Sequence, residues 1–262
     1  MKSKIIKVKC PAKINLTLKV GKVRPDGFHP IESIMQTINL YDYLTITLTG
    51  GHSNIVLNGN SSEIPYDETN IIYKAAKLFY ETTQIKQGVE IYLEKNIPIC
   101  AGLAGGSTDA AGMLFGLNKL NSDIFSLDKI LLLCAKLGSD LNFCYLGGTK
   151  LARGRGEILE NLQFKSFELS LIKPKNLKIS AKEAYQKFDE TKAESNLPND
   201  LEFALLPCHE ELQKLHALGF QMSGSGPTFF IKKAKIIEKP QGNFEILEGL
   251  KTVDHGVLEL VN

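Results

Sequence analysis

Arginine is nearly missing from this chain. Of 31 basic residues only Arg24, Arg153 and Arg155 are arginines, so planar two-pronged clamps on phosphate are few, and any phosphate is expected to be held by backbone amides. A dense basic field is missing too. The 31 Lys and Arg stand against 29 Asp and Glu, and 43% of residues are hydrophobic, which points away from a nucleic-acid partner and from a disordered chain. The five cysteines, Cys10, Cys100, Cys134, Cys144 and Cys208, are odd in number and form no C-x-x-C pair. That argues against a disulfide framework or zinc site and for a reducing, cytoplasmic setting. Long apolar runs are absent: the stretch around Ile130 to Ala135 is far too short to cross a bilayer, and the lysine-studded start leads into no apolar core, so neither a signal peptide nor a membrane partner is expected. His52, His209, His216 and His255 show no ligand spacing and are assigned no metal. No repeat or low-complexity tract occurs.

What is present is a 262-residue chain, long enough for one large or two modest cores and best suited to a small-molecule substrate. Ile14, Leu16, Leu18 and Val20 alternate with Asn15, Thr17 and Lys19, as Leu44, Ile46 and Leu48 do with threonines; Val89, Ile91 and Leu93 repeat the pattern. Each is the period-two signature of a half-buried strand. Between them, Ile71, Ala75, Leu78, Phe79 and Thr82 share one side of a helix over Asn70 to Thr83, with Thr69 as its cap. Helices are also expected over Ser107 to Leu120 and over Ser126 to Leu137, the second closed by a left-handed Gly138. Gly147, Gly148, Gly154 and Gly156 interrupt both periodicities and mark a boundary. Beyond it, Ser180 and Glu183 form a capping box opening a helix to Phe188, and Pro207 followed by Leu212, Leu215, Leu218 and Gly219 outlines another. The expectation is an α+β protein of two domains, residues 1–151 and 152–262, with the strand pattern Val257 to Val261 left open as to which domain it joins.

The stretch from Glu94 to Ala111 runs from a strand through a small-residue loop into a helix. Glycines let the backbone approach an anion, and the helix start offers free N–H groups and a positive dipole end. Ser107 and Thr108 could add hydroxyls or cap the helix, helped by Asp109 in its first turn. A bulky residue at Gly105 is expected to abolish nucleotide binding and spare the fold. The loop is neither a Walker A motif, since no lysine follows Gly105-Gly106, nor a G-x-G-x-x-G fingerprint. Met222 to Thr228 is a second small-residue cluster, readable as an anion-facing nest or as a tight turn into a strand. Lys13 and Asp140 each sit at the margin of an apolar segment, where they could form a catalytic pair or end an element in solvent. Phe28 and His29 in the turn from Asp26 to Pro30 could hold a flat heterocycle, or Phe28 could anchor the turn in the core.

Taken together, Pro11 to Leu16, Asp26 to His29, Pro98 to Ala111, Gly138 to Asp140, Arg153 to Glu157 and Met222 to Gly226 stand in the order and spacing of one family. From about Lys9 to Ile231 the chain resembles the galactokinase, homoserine kinase, mevalonate kinase and phosphomevalonate kinase superfamily. Within it, P-A-K-I-N-L and D-G-F-H resemble the family acting on a cytidine diphosphate conjugate of methylerythritol. The resemblance implies a ribosomal-protein-like N-terminal domain and a ferredoxin-like C-terminal domain with the active site in the cleft between. It implies ATP as phosphoryl donor with Mg²⁺, and phosphorylation of the 2-hydroxyl of that conjugate in non-mevalonate isoprenoid synthesis. Pro98, Ile99, Cys100, Ala101, Gly102, Leu103, Ala104, Gly105, Gly106, Ser107 and Thr108 would bind ATP, Lys13 and Asp140 would be catalytic, Asn15 would place the substrate, and Phe28 with His29 would engage the cytosine. Asp140, beside Lys13, would act as much by orientation as by basicity. The alternatives are a mevalonate or homoserine kinase, or a silent nucleotide-binding module. Oligomeric state and metal ligands are left open.

The chain departs from the family pattern at several points. Cys100 and Ala104 replace common glycines, and their Cβ atoms predict a stiffer or reshaped loop. Phe28 replaces a frequent tyrosine, Leu141-Asn142 follow Asp140 where proline is favoured, and the segment after Lys232 departs most.

Overall fold

The computed structural model describes residues 4–50, 54–191 and 195–260; His52 and Val261 lie outside them. Twelve strands and seven α-helices follow one another among these residues as β1 (Ile5–Asn15), β2 (Lys19–Val20), β3 (Ile31–Thr49), β4 (Ile55–Gly59), α1 (Ile71–Thr83), β5 (Gly88–Glu94), α2 (Gly105–Leu120), α3 (Leu127–Leu137), α4 (Leu141–Leu146), β6 (Thr149–Arg153), β7 (Ile158–Asn161), β8 (Glu168–Pro174), α5 (Ala181–Glu190), α6 (Asp200–Leu205), α7 (Glu210–Ala217), β9 (Gln221–Met222), β10 (Phe229–Ile231), β11 (Phe244–Lys251) and β12 (Leu258–Glu259).

The larger sheet runs β12-β1-β3-β5-β4, extended by β2 and β6 on β3 and by β7 on β6. Leu44, Ile46 and Leu48 of β3 and Val89, Ile91 and Leu93 of β5 point to one face, where they meet Phe79 of α1 and Ala110, Leu114 and Leu117 of α2 in one apolar cluster. The α2 helix lies so close to the sheet that a Cβ at Gly112 would stand 2.3 Å from Cys10 Sγ. All five cysteines are free, with Cys10, Cys134 and Cys144 buried in this region. The smaller sheet is antiparallel in the order β11-β8-β10-β9. Counted along the chain, that is fourth, first, third, second, the ferredoxin-like arrangement. Residues 232–243, where such a unit carries its second helix, form only bends here. A third apolar cluster joins the halves: Ala12, Ile14 and Ile38 of the large sheet and Leu169, Leu171 and Phe230 of the small one meet Ile97, Ala101 and Leu103 of the glycine-rich loop. No described helix is long and apolar enough to cross a membrane.

Four local expectations are corrected. The alternation from Ile14 to Val20 is not one half-buried strand: β1 stops at Asn15, and Lys13 and Asn15 are as buried as Ile14. Lys13 and Asn15 face the interior of a site rather than water, whereas Lys19 in β2 is exposed. The cap of α1 is Asn70, which accepts from Ile72 N–H at 2.8 Å, because the Thr69 hydroxyl is engaged by Asp67. The α2 helix opens at Gly105 after Ala104, with no side-chain cap, so Ser107, Thr108 and Asp109 lie inside it. Gly138 ends α3 with φ 172°, extended rather than left-handed. Ser180 caps α5 as expected, accepting from Glu183 N–H at 3.1 Å, and Ser126, expected as the first residue of its helix, caps α3 by accepting from Lys129 N–H at 3.4 Å.

Candidate active site

Between Ile97 and α2 the backbone turns three times through left-handed conformations, at Cys100 (φ 51°), Gly102 (φ 71°) and Ala104 (φ 59°). Cys100 and Ala104 therefore hold torsions that favour glycine, at a cost of about 1–2 kcal/mol each for a side chain in that region. Cys100 is exposed and supports no core contact. Cys100→Gly is expected to stabilise the protein by about 1 kcal/mol and to raise Tm by about 2–4 °C, as thermal unfolding would show.

Gly102 is where the two small-residue clusters meet. A Cβ there would lie 2.2 Å from the Ser223 carbonyl oxygen and 2.9 Å from Gly226 N. The cluster from Met222 to Thr228 is the turn linking β9 to β10, and Gly224 and Ser225 within it line the same cavity as the first loop. Asn199 fixes that turn by donating to the Met222 and Gly224 carbonyls at 3.0 and 2.9 Å. Ser223 closes the seam: its hydroxyl donates to the Gly102 carbonyl (3.2 Å) and accepts from Asn15 N–H (3.3 Å).

Lys13 and Asp140, far apart in sequence, meet at this seam. Lys13 Nζ lies 3.4 Å from Asp140 Oδ2 and donates to Asn15 Oδ1 at 2.6 Å. Asn15 in turn donates to the Ser33 hydroxyl (2.7 Å), which donates to the Thr17 carbonyl (2.5 Å). The ammonium is thus aimed by a buried relay. A Cβ on Gly224 would lie 3.2 Å from Lys13 Nζ. Asp140 stands just before α4, its side chain 29% exposed against 5% for Lys13, so a carboxylate oxygen remains open to a ligand. Asn142, in place of proline's neighbourhood, donates from Nδ2 to the Glu157 carbonyl at 3.2 Å.

A cavity of about 1050 Å³ holds these groups. Pro98 to Ser107, Lys13, Asn15 and Asp140, and Phe28 with His29 all line it. Thr108 is not among the lining residues: it is fully buried and its hydroxyl has no partner, so the expected hydroxyl contact is not offered to the cavity. His29 Nδ1 donates to the Gly21 carbonyl at 2.8 Å, and its Nε2 lies 3.3 Å from Asp189 Oδ1. The imidazole is stacked on Tyr185, with ring centroids 5.3 Å apart, and edge-on to Phe188 at 5.8 Å. Phe28 is 47% exposed rather than anchored in the core, and the Arg155 guanidinium stands 4.8 Å over its ring. Tyr185, whose hydroxyl burial pushes up to about 12, and Ser33, Asn199 and Ser223 were not singled out from sequence. Only the apolar stripe of α5, Tyr185 and Phe188, carried a signal, and it reads equally as core.

Fold and cleft together define a small-molecule kinase that draws its phosphoryl group from ATP. The family model described as GHMP kinases N terminal domain matches residues 70–148, which include α1, the loop and Asp140. A 4-diphosphocytidyl-2-C-methyl-D-erythritol kinase from Clostridium tetani is 42% identical, with 86% of this chain and 90% of that protein covered. One from Thermoanaerobacter pseudethanolicus is 39% identical over 97% of this chain and 98% of its own. The crystal structure of a 4-(cytidine 5'-diphospho)-2C-methyl-D-erythritol kinase superposes with a TM-score of 0.74 at 27% identity, covering 96% of this chain and 99% of that one. This chain belongs to the 4-diphosphocytidyl-2-C-methyl-D-erythritol kinase family.

Proposed function

We propose that the protein transfers the γ-phosphoryl group of ATP to the 2-hydroxyl of 4-diphosphocytidyl-2-C-methyl-D-erythritol, a step of non-mevalonate isoprenoid precursor synthesis. The observation that carries this reading is the Lys13–Asp140 pair, 3.4 Å apart, lining one cavity together with an amide-rich loop and the rings of Phe28, His29 and Tyr185. In that arrangement the loop from Pro98 to Ser107 holds the triphosphate through the backbone N–H groups that follow Pro98 and the start of α2, while Thr108 stays out of the cavity. Asn15 holds Lys13 and borders the acceptor. The cytosine stacks on Phe28; His29 Nδ1 is committed to Gly21 and its Nε2 faces Asp189 Oδ1 at 3.3 Å, so the base's polar edge reaches Nε2 by displacing the half-exposed Asp189 side chain.

Phosphoryl transfer through a loose transition state asks mainly for alignment and charge neutralisation. The acceptor oxygen bonds to the γ-phosphorus as the bond to the β-bridging oxygen breaks; its proton passes to Asp140, and ADP leaves. Lys13 neutralises charge on the equatorial oxygens. Mg²⁺ supplies further neutralisation when bound. Among the described residues no group of three or more acidic, His or Cys side chains is set to hold a metal, which suits an ion carried chiefly by nucleotide phosphates and water. Ser107 and Asp140, both lining the cavity, are the groups that would reach it.

A coupled ATP-consumption assay tests the reading. Turnover is expected with the cytidine-linked alcohol and not with mevalonate or homoserine, and CDP should inhibit competitively against the alcohol. Turnover with homoserine or mevalonate in its place would overturn the assignment.

A further inference from the structure

Both ends of the phosphate loop are tied to one buried carboxylate. Asp42 Oδ1, on β3, accepts from the backbone N–H groups of Asn96 (2.6 Å) and Ile97 (2.8 Å), where β5 gives way to the loop. Its Oδ2 accepts from the Lys95 ammonium, which also lies 3.2 Å from Asp109 Oδ2 in α2. The three side chains are 0%, 7% and 2% exposed. Burial, with Asp42 adding to it, pushes the Asp109 carboxyl well above the usual range. Burial alone would lower Lys95, yet Asp109 and Asp42 together hold it above its ordinary value.

Such a cluster is a poor way to gain stability, since apolar residues of similar volume commonly do as well. Its placement accounts for it better. A Cβ on Gly105 would lie 2.7 Å from Lys95 Nζ, so the ammonium rests against the first residue of α2. A larger residue at Gly105 would therefore meet Lys95 as well as a bound nucleotide. The strand supplies from below the lysine that the loop does not contain.

We propose that Asp42, Lys95 and Asp109 are positioning residues for the nucleotide. They fix the two ends of the loop so that Cys100, Gly102 and Ala104 keep their left-handed turns and the amides of α2 face the phosphates. The inference rests on reading residues 98–108 as the ATP site, and it assigns the three side chains no contact with the acceptor alcohol.

The test is equilibrium binding of a fluorescent ATP analogue and, separately, of CDP to the wild type, Asp109→Asn and Asp42→Asn, with thermal unfolding followed in parallel. Each substitution keeps the shape and replaces one carboxyl oxygen of the cluster by an amide nitrogen, which cannot accept from Lys95. The analogue's Kd is expected to rise about tenfold, equivalent to 1.4 kcal/mol, while that of CDP stays within about twofold. KM for ATP should follow the analogue with kcat nearly unchanged. Equal weakening of both ligands, or a lowered Tm with the analogue bound as in the wild type, would show a purely structural role and overturn the clamp. If Asp42→Asn does not fold, Asp109→Asn decides alone, since it leaves the Lys95–Asp42 pair in place. A wild type that takes up CDP but no ATP analogue would refute the nucleotide reading, and the clamp with it.

Discussion

Asp140→Asn is expected to lower kcat by about 10³-fold, within the range that general-base and electrostatic groups contribute, and to leave KM for ATP and for the alcohol within about threefold. The amide is nearly isosteric, so the turn from α3 into α4 has no reason to move. What is lost is a proton acceptor and the negative partner of Lys13, whose ammonium lies 3.4 Å away and is otherwise held by Asn15. Steady-state kinetics with saturating ATP would measure this. A drop of only about tenfold would leave Asp140 the orienting part of its role alone. Turnover close to wild type would mean that the carboxylate neither aims the hydroxyl nor takes its proton.

Gly102→Ala is expected to damage both the protein and its nucleotide site. The new methyl would lie 2.2 Å from the Ser223 carbonyl oxygen, a backbone atom that cannot rotate aside, at a residue with φ 71°. Left-handed strain of about 1–2 kcal/mol adds to the displacement of the turn after β9, so a loss of about 3 kcal/mol is expected, at the upper end of ordinary substitutions. Tm should fall by about 6–12 °C. ATP-analogue binding should weaken by about 100-fold or more, because a misplacement of about 1 Å suffices for such losses. Gly106→Ala is the control for stability: its nearest neighbour would be Ile71 Cγ2 at 3.7 Å, in a helix that prefers alanine. If Gly102→Ala melted with the wild type and bound nucleotide equally well, the contact between the two turns would not be what builds the site.

The helices were legible wherever a side chain and a period agreed. Ser126 and Ser180 open α3 and α5 as their sequences announce, and Leu44, Ile46 and Leu48 face the core. The misreading of β1 has a physical cause: polar residues that alternate as water-facing positions do can face inward. Lys13 and Asn15 alternate with Ile14 as solvent positions would, but they point into the cleft. Asp42 and Asp109 are buried and Lys95 is nearly so, yet no pattern in the sequence points to Asp42 or Lys95, and Asp109 reads only as an aid to the start of a helix. Motif spacing identified Lys13, Asp140 and the loop through their resemblance to a family, but the meeting of the two turns depends on backbone torsions at Gly102 and on Asn199, which no local pattern carries. The left-handed turns at Cys100 and Ala104 could not be read from residue type, since neither residue prefers them.

The strand that carries Lys13 has a neighbour drawn from a distant part of the chain: Val8 pairs with Glu259, and Leu260 N–H reaches the Lys7 carbonyl at 2.8 Å. During synthesis β1 leaves the ribosome among the first elements, yet its outer flank stays uncovered until β12 has been made. A chain that has made β1 but not β12 therefore holds an open strand edge at Val8 and Lys9, on the strand that carries Lys13. Pairing at such sequence separation is slow and leaves the edge open to wrong partners until β12 arrives.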